Sequence, residues 1–253
     1  MNTPYFFEND NFILYNGDTN SVLSEINMQV DMIFADPPYF LSNQKKTTQF
    51  GKEKIRDKGE WDRVISWEEI NAFNKAWISK CRSVLKEDGT IWICGTYHNI
   101  YSVEQSLIEL GFKILNIVVW QKLDQPPTPY GGRLNFSAEY LIWARKNENV
   151  KHCFNYDLLK YMNGGAEMPD VWKFARPGFW ERTCGKHPTQ KPLRLLYRVI
   201  QTCTQENFLI LDPFAGSCTT GIAANLLNRR FIGIDMNKDY LDYGIRRKIE
   251  ILD

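Results

Sequence analysis

Residues 208–220 read Phe-Leu-Ile-Leu-Asp-Pro-Phe-Ala-Gly-Ser-Cys-Thr-Thr, and residues 231–235 read Phe-Ile-Gly-Ile-Asp. The first stretch is an apolar strand, Phe208–Leu211, that ends on an acid, turns at Gly216 and enters a helical run, Ser217–Leu227. The second, with its strand at Phe231–Ile234, follows at once. Strand, turn, helix and strand in that order are the unit of a doubly wound parallel sheet, in which ligands sit outside the carboxyl ends of the strands. Gly216 lets the backbone approach a ligand closely. Asp212 can accept a hydrogen bond from a ligand ammonium. Asp235 stands 19 residues after Gly216, the place of an acid that binds ribose hydroxyls, although a lone acid there also suits a helix cap. No G-x-G-x-x-G accompanies the turn, which argues against a pyrophosphate cofactor. A nucleoside with a cationic tail remains, and that describes S-adenosylmethionine. The candidate cofactor residues here are Asp212, Pro213, Phe214, Gly216, Ser217, Thr219, Thr220 and Asp235.

Upstream, a second apolar strand, Asp31–Ala35, runs into Asp36-Pro37-Pro38-Tyr39. The prolines remove two backbone donors and stiffen the chain, leaving carbonyls to accept from a substrate amine. Asp36 adds a carboxylate acceptor, and Tyr39 offers a flat face for a ring. The amino group of adenine or cytosine is a poor nucleophile because its lone pair conjugates into the ring. Acceptors at its two N–H bonds favour a pyramidal nitrogen aimed at a sulfonium methyl. Transfer is then a direct displacement governed by positioning and charge, with the base flipped out of the duplex to reach the pocket.

The rest of the chain alternates in the same manner. Phe12–Asn16, Thr90–Cys94, Phe112–Gln121 and Glu139–Ala144 read as strands. Trp67–Leu85 (capped by Ser66), Val103–Leu110, Leu193–Cys203 and Asn237–Ile251 read as helices. Arg246, Arg247 and Lys248 fall near the end of the last helix, where positive charge suits the macrodipole. Ser42–Glu60 has no apolar period and is expected to be a mobile loop. Residues 145–186 read as an irregular insertion.

The 253 residues fit one α/β domain with a modest insertion. The net charge of +1 provides no global field for nucleic acid. Locally, Lys173–Arg198 holds seven basic residues against Glu181, and Lys45–Arg63 holds seven against four acids. Both segments are expected to meet phosphates. The six cysteines form no C-x-x-C, no metal-ligand set is visible, and no apolar run is long enough for a membrane span. A reducing cytoplasm is the expected location. None of the eleven prolines precedes a cysteine, so the Pro-Cys pattern of ring-carbon cytosine methylation is absent.

The order of DPPY (36–39) before DPFAGSCTT (212–220), with a basic insertion between, resembles the β class of amino DNA methyltransferases over nearly the whole chain. The runs MIFADPPYFLSN (32–43), HNIYSV (98–103) and GFKILN (111–116) are especially similar to the second adenine methylase of two-methylase GATC restriction systems. The resemblance implies a single domain over 1–253 with the circularly permuted methyltransferase sheet and a target-recognition insertion at 145–186. It implies Asp18 of YNGD (15–18) near the cofactor adenine, and Thr189 and Lys191 of HPTQKP (187–192) at its methionine end. FSAEYLIWARK (136–146) looks like the strand before the recognition region. Asp36, Pro37, Pro38 and Tyr39 become the catalytic set. Family members acting on cytosine more often begin this motif with Ser, so Asp36 favours N6 of adenine. N4-cytosine methylation, an NPPY-like methylase of protein or RNA, and a catalytically dead DNA-binding relative are the alternatives. His187 is read as a helix cap ahead of a DNA contact. Cys218 stands where the family usually has Gly, and strain is expected if the backbone there needs positive φ. DNA is the expected partner, with a cognate restriction endonuclease and a homodimer also implied. Surplus apolar residues at Trp67, Phe73, Trp77, Ile100, Tyr101 and Leu107 are offered as dimer surface.

Overall fold

The computed structural model of the chain describes residues 4–7, 11–40, 46–49, 52–55, 66–125, 132, 134–185 and 187–252. In chain order the elements are β1 (Pro4–Phe7), β2 (Phe12–Asn16), α1 (Thr19–Glu25), β3 (Val30–Ala35), β4 (Lys46–Gln49), β5 (Lys52–Ile55), α2 (Trp67–Val84), β6 (Leu85–Gly95), α3 (Ile100–Glu109), β7 (Lys113–Lys122), β8 (Ala138–Arg145), α4 (Tyr156–Met162), β9 (Val171–Phe174), α5 (Leu193–Cys203), β10 (Leu209–Asp212), α6 (Thr219–Leu226), β11 (Arg230–Asp235) and α7 (Lys238–Leu252).

Among the described residues, nine strands form one sheet in the order β1-β2-β11-β10-β3-β6-β8-β7-β9. From β2 to β6 every neighbour is parallel. β8 runs against both β6 and β7, and β1 runs against β2. Alternation along the central strands feeds two cores. Leu209, Leu211, Ile232 and Ile234 face α1, α2 and α3, while Ile210 and Phe231 face α5, α6 and α7. Both faces of the parallel strands are thus covered, which explains their near-continuous apolar sequence. The doubly wound expectation holds.

α2 shows how local sequence sets an element. Ser66 Oγ accepts from the Glu69 amide at 3.2 Å, and Glu69 returns a bond to the Ser66 amide at 2.8 Å, a capping box. Ile70, Asn74, Trp77, Ile78, Cys81 and Val84 then form its buried stripe. The helix stops at Val84 because Leu85 already begins β6, five residues earlier than the sequence strand at Thr90. Among the described residues, no helix is long and apolar enough to cross a membrane.

Three expectations change here. The 145–186 insertion is not wholly irregular: α4 lies against α5, and β9 joins the sheet beside β7. Four residues were too short a run to register as a strand. Within Ser42–Glu60, β4 and β5 pair as an antiparallel hairpin that carries Lys46, Lys52 and Lys54; the rest of that segment, and the side chains of all the basic residues of 45–63, lie outside what the structure describes. Of the six residues offered as dimer surface, Trp77, Ile100 and Leu107 are core, because α2 and α3 pack on each other as well as on the sheet.

Candidate active site

β10 and β3 are parallel neighbours, Ile210 beside Met32 and Leu211 beside Ile33. The two motifs therefore leave the sheet side by side at the same edge, although most of the chain separates them. Between them opens a cavity of about 180 Å³ lined by Asp18, Asp36, Pro38, Phe214, Gly216 and Asp235, with Thr19, Phe73, Trp77, His187, Thr189 and Tyr240 also in its walls. A smaller cavity of about 30 Å³ shares Asp36, Thr189, Phe214 and Gly216 and adds Lys191, Asp212, Ser217, Thr219 and Thr220. The structure thus brings Asp18, Thr189, Lys191 and the strand-end motifs to one place.

The turn after β10 is held from inside. Asp212 is buried, its two oxygens accepting from the Phe214 amide at 3.0 Å and the Thr220 hydroxyl at 2.5 Å. Burial pushes its carboxyl up to about 7. Asp235 accepts from the Gly216 amide at 2.8 Å and the Asn237 amide at 2.8 Å, so it fixes the glycine turn while lining the cavity. Gly216 has φ +48°, and a Cβ there would come 3.0 Å from His187 Nε2, so both conformation and space favour glycine. The Pro213 carbonyl accepts from Thr19, and Asp18 caps α1 through the Ser21 amide at 3.0 Å. Phe214 meets Trp77 edge-on at 5.2 Å, which seats the motif against α2.

Cys218 lies in the left-handed region at φ 56°, ψ 28°, so the strain expected at this position is present. Its side chain is fully buried and fills the hollow left by Gly244 of α7. Arg247 also departs from its sequence reading. It is 1% exposed and donates to the Ser217 carbonyl at 2.5 Å, the Thr219 hydroxyl at 2.9 Å and the Glu181 carbonyl at 3.1 Å. It braces the cofactor turn from below instead of complementing a macrodipole at the surface. His187 is no helix cap. It lines the cavity beside Gly216 and meets Tyr240 edge-on at 4.3 Å. The amide that opens α5, Leu193, donates instead to Glu181 at 2.7 Å.

At the second motif, Tyr39 is buried. Its hydroxyl lies 2.6 Å from Asp36 Oδ1 and 3.2 Å from Glu139 Oε2, with the Lys191 ammonium 5.2 Å from its ring centre. The open ring face read from the sequence is covered in this state. Pro37 is buried and Pro38 lines the larger cavity, its carbonyl 3.5 Å from Asn99 Nδ2. Lys191 pairs with Asp36 and lies 3.6 Å from Glu139, whose other oxygen is 2.5 Å from Lys122. Burial opposes the Lys191 charge, but the two carboxylates outweigh it and raise its pKa. Burial raises the Asp36 carboxyl, against Lys191 and with Glu139. Glu139 is held down by Lys191 and Lys122 despite its burial. Sequence reasoning missed Glu139 and Lys122. Their only signal was a charged residue near one end of each of two apolar strands.

The basic stretch after β9 is weaker than its count. Arg176 pairs with Asp124 at 3.3 Å, Arg182 is tied to the Pro177 and Gly178 carbonyls, and Arg198 lies over the Trp172 and Phe174 rings. Lys191 is buried, and Lys186 lies outside the described residues. Lys173 and Arg194 remain as exposed charges.

The walls fit a cationic nucleoside. Asp18, Asp36, Asp212 and Asp235 line the two cavities, and the one lysine among the lining residues, Lys191, is already paired.

Residues 30–246 match the family model described as DNA methylase, of the N6/N4 methyltransferase type. The chain is 48% identical over 250 residues to the type II methyltransferase M2.MboI of Moraxella bovis, covering 98% of this chain and 92% of that one. It is 47% identical over 249 residues to M2.DpnII of Streptococcus pneumoniae, with the same coverage. Among solved structures, the M1.HpyAVI–SAM complex superposes with a TM-score of 0.72 at 28% identity over 93% of this chain and 98% of that one. The cytosine-N4-specific PvuII DNA methyltransferase shares the fold, with a TM-score of 0.76 at 18% identity over 100% and 93% of the two chains. With two acid-ended strands meeting at a carboxylate-lined cavity, and a match across most of its length, the chain belongs to the DNA methylase family.

Proposed function

We propose that this methylase moves a methyl group from S-adenosylmethionine to N6 of an adenine flipped out of duplex DNA. The observation that carries the reading is Asp36, a carboxylate that forms a wall of both cavities and also ends the DPPY strand. The cofactor supplies a methyl activated on a sulfonium. Asp18 and Asp235 are assigned to its nucleoside, and Asp212, Ser217, Thr219, Thr220 and Thr189 to its methionine end. The Lys191 ammonium is turned to Asp36, so a bond from it to the cofactor carboxylate competes with that pair. Asp36 and the Pro38 carbonyl accept from the target amine, which directs its lone pair at the methyl. Tyr39 must turn out of its buried place to stack on the base.

The test is incubation of duplex DNA with the protein and S-adenosylmethionine, followed by nucleoside analysis and mapping of the modified site. N6-methyladenine at a fixed sequence supports the reading. N4-methylcytosine would replace it with the alternative target, and no product would leave a binding protein. The resemblance makes GATC the site to try first, with protection from a cognate endonuclease as a second readout.

The proposal includes a homodimer. Tyr101 and Ile108 stand out from one side of α3, 62% and 60% exposed, with Trp67 exposed at the start of α2. An isologous pairing would cover such a patch on both subunits. Light scattering that gives the 29.7 kDa of one chain, not twice that mass, would refute it.

A further inference from the structure

Behind Asp36 lies a row of alternating charges. Asp36 pairs with Lys191, Lys191 lies 3.6 Å from Glu139, and Glu139 is 2.5 Å from Lys122. Tyr39 bridges the two carboxylates through its hydroxyl. Glu139 lines neither cavity, so it does not touch substrate or cofactor directly. Its side chain is nonetheless only 12% exposed, and a buried carboxylate is expensive unless it is paired. Lys122 meets that need at one oxygen, which leaves the other aimed at Tyr39 and Lys191.

We propose that Glu139 is a positioning residue for methyl transfer: through Lys191 and Tyr39 it holds the Asp36 carboxylate in the orientation that accepts an N–H of the target amine. In this state both Asp36 oxygens are engaged, one by the Tyr39 hydroxyl and one by the Lys191 ammonium. When an amine enters, a hydroxyl or ammonium that lets go of Asp36 needs another acceptor, because an unsatisfied buried donor is costly. Glu139 is that acceptor for the ammonium, at 3.6 Å, and it already lies 3.2 Å from the hydroxyl, which it can hold until Tyr39 turns out to the base. It is also a second negative charge facing Asp36. The other ionisable groups facing Asp36 among the described residues are Lys191 before α5, Tyr39 on its own loop, Cys94 of β6 and Asp212 of β10. Glu139 favours the protonated form of Asp36, against Lys191.

The inference rests on the proposed role of Asp36. Its test is the pH dependence of kcat in the whole protein with duplex DNA. Glu139→Gln presents its amide oxygen to Lys122 and its NH2 group to Tyr39 and Lys191, which removes the acceptor and the charge together. Turnover is expected to fall on the order of tenfold to a hundredfold. The KM for S-adenosylmethionine should stay unchanged, and the acid limb of the profile should move to lower pH. Glu139→Asp keeps the charge at shorter reach. It should lower kcat while leaving the acid limb where the wild type has it, and it serves if the Gln variant does not fold. A Glu139→Gln protein with wild-type kcat and an unmoved acid limb overturns the proposal. So does an acid limb displaced equally in both variants. If Asp36→Asn itself turns over normally, the reading of Asp36 fails first. If Asp36→Asn is inactive and Glu139→Gln is normal, only the inference about Glu139 fails.

Discussion

Gly244 of α7 and Cys218 of the cofactor turn occupy one space between them. A Cβ built on Gly244 would lie 2.4 Å from Cys218 Sγ and 2.8 Å from its Cβ, with the Ser217 carbonyl carbon at 3.3 Å. Gly244→Ala alone therefore overpacks a closed site, at ~1–3 kcal/mol. About 1 kcal/mol of that is offset by the better helix propensity of Ala. Cys218→Gly alone removes left-handed strain worth ~1–2 kcal/mol, but it empties the thiol's place, a loss of similar size. The single changes should thus be mildly destabilising and near neutral, respectively. Combined, the Ala methyl enters the space the thiol vacates, the clash is gone, and the propensity gain remains. The double variant should exceed the sum of the singles by about 2–3 kcal/mol, the upper part of the range for residues in contact. Urea unfolding of the four proteins measures this directly, provided the slopes agree. Additivity within ~0.5 kcal/mol would refute the steric argument. Methylation by Cys218→Gly should equal or exceed that of the parent.

Other outcomes follow from the same geometry. Asp235→Ala should weaken S-adenosylmethionine binding by ~1–3 kcal/mol in calorimetry, the expense of leaving the Gly216 and Asn237 amides unpaired together with the loss of a ligand contact; unchanged affinity means no ligand contact. Asp212 keeps its proton in the folded chain up to about pH 7, against an ordinary 3.8, so the folded state binds more protons between those values. This group therefore makes stability fall as pH rises through that window. Asp212→Asn should flatten the slope, while a cationic cofactor should bind the parent more tightly above pH 7; an equally steep urea midpoint in the variant would contradict it. On duplex DNA, Lys173→Ala should reduce the log–log salt slope by about 1. Arg176→Ala should leave that slope alone, because Asp124 already holds the guanidinium; equal effects of the two would restore the simple count of charges.

Much of the fold could be read because the central strands are buried on both faces and carry their signal in unbroken apolar runs. FLIL before Asp212 and FIGI before Asp235 needed no tertiary information. β9 did not stand out, since four residues with one buried side chain have no period to detect. The two site motifs were legible because the ligand chemistry demands unusual residues at strand ends. What supports them was not. Arg247 looks like a helix-terminal charge, and only the placement of α7 under the cofactor turn shows that it is buried. Glu139 looks like one polar position in a strand, because its partners Lys122, Lys191 and Tyr39 come from three distant places. Pairing across a fold is not written in local spacing. The same limit applied to the basic segment, where Asp124 removes Arg176 from the surface field.

The strand order has a consequence for how the chain acquires its shape. β2 and β3 are joined by a single helix, yet β11 and β10 lie between them in the sheet. Two strands synthesised late must therefore insert between two made early. Contacts of such long sequence separation close slowly, and until they close, the flanking strands present open edges. The cavity forms only when β10 and β3 meet, so recovery of cofactor binding during refolding should lag behind recovery of helix. A cell making this protein carries each copy through an interval of exposed strand edges before it can bind its cofactor.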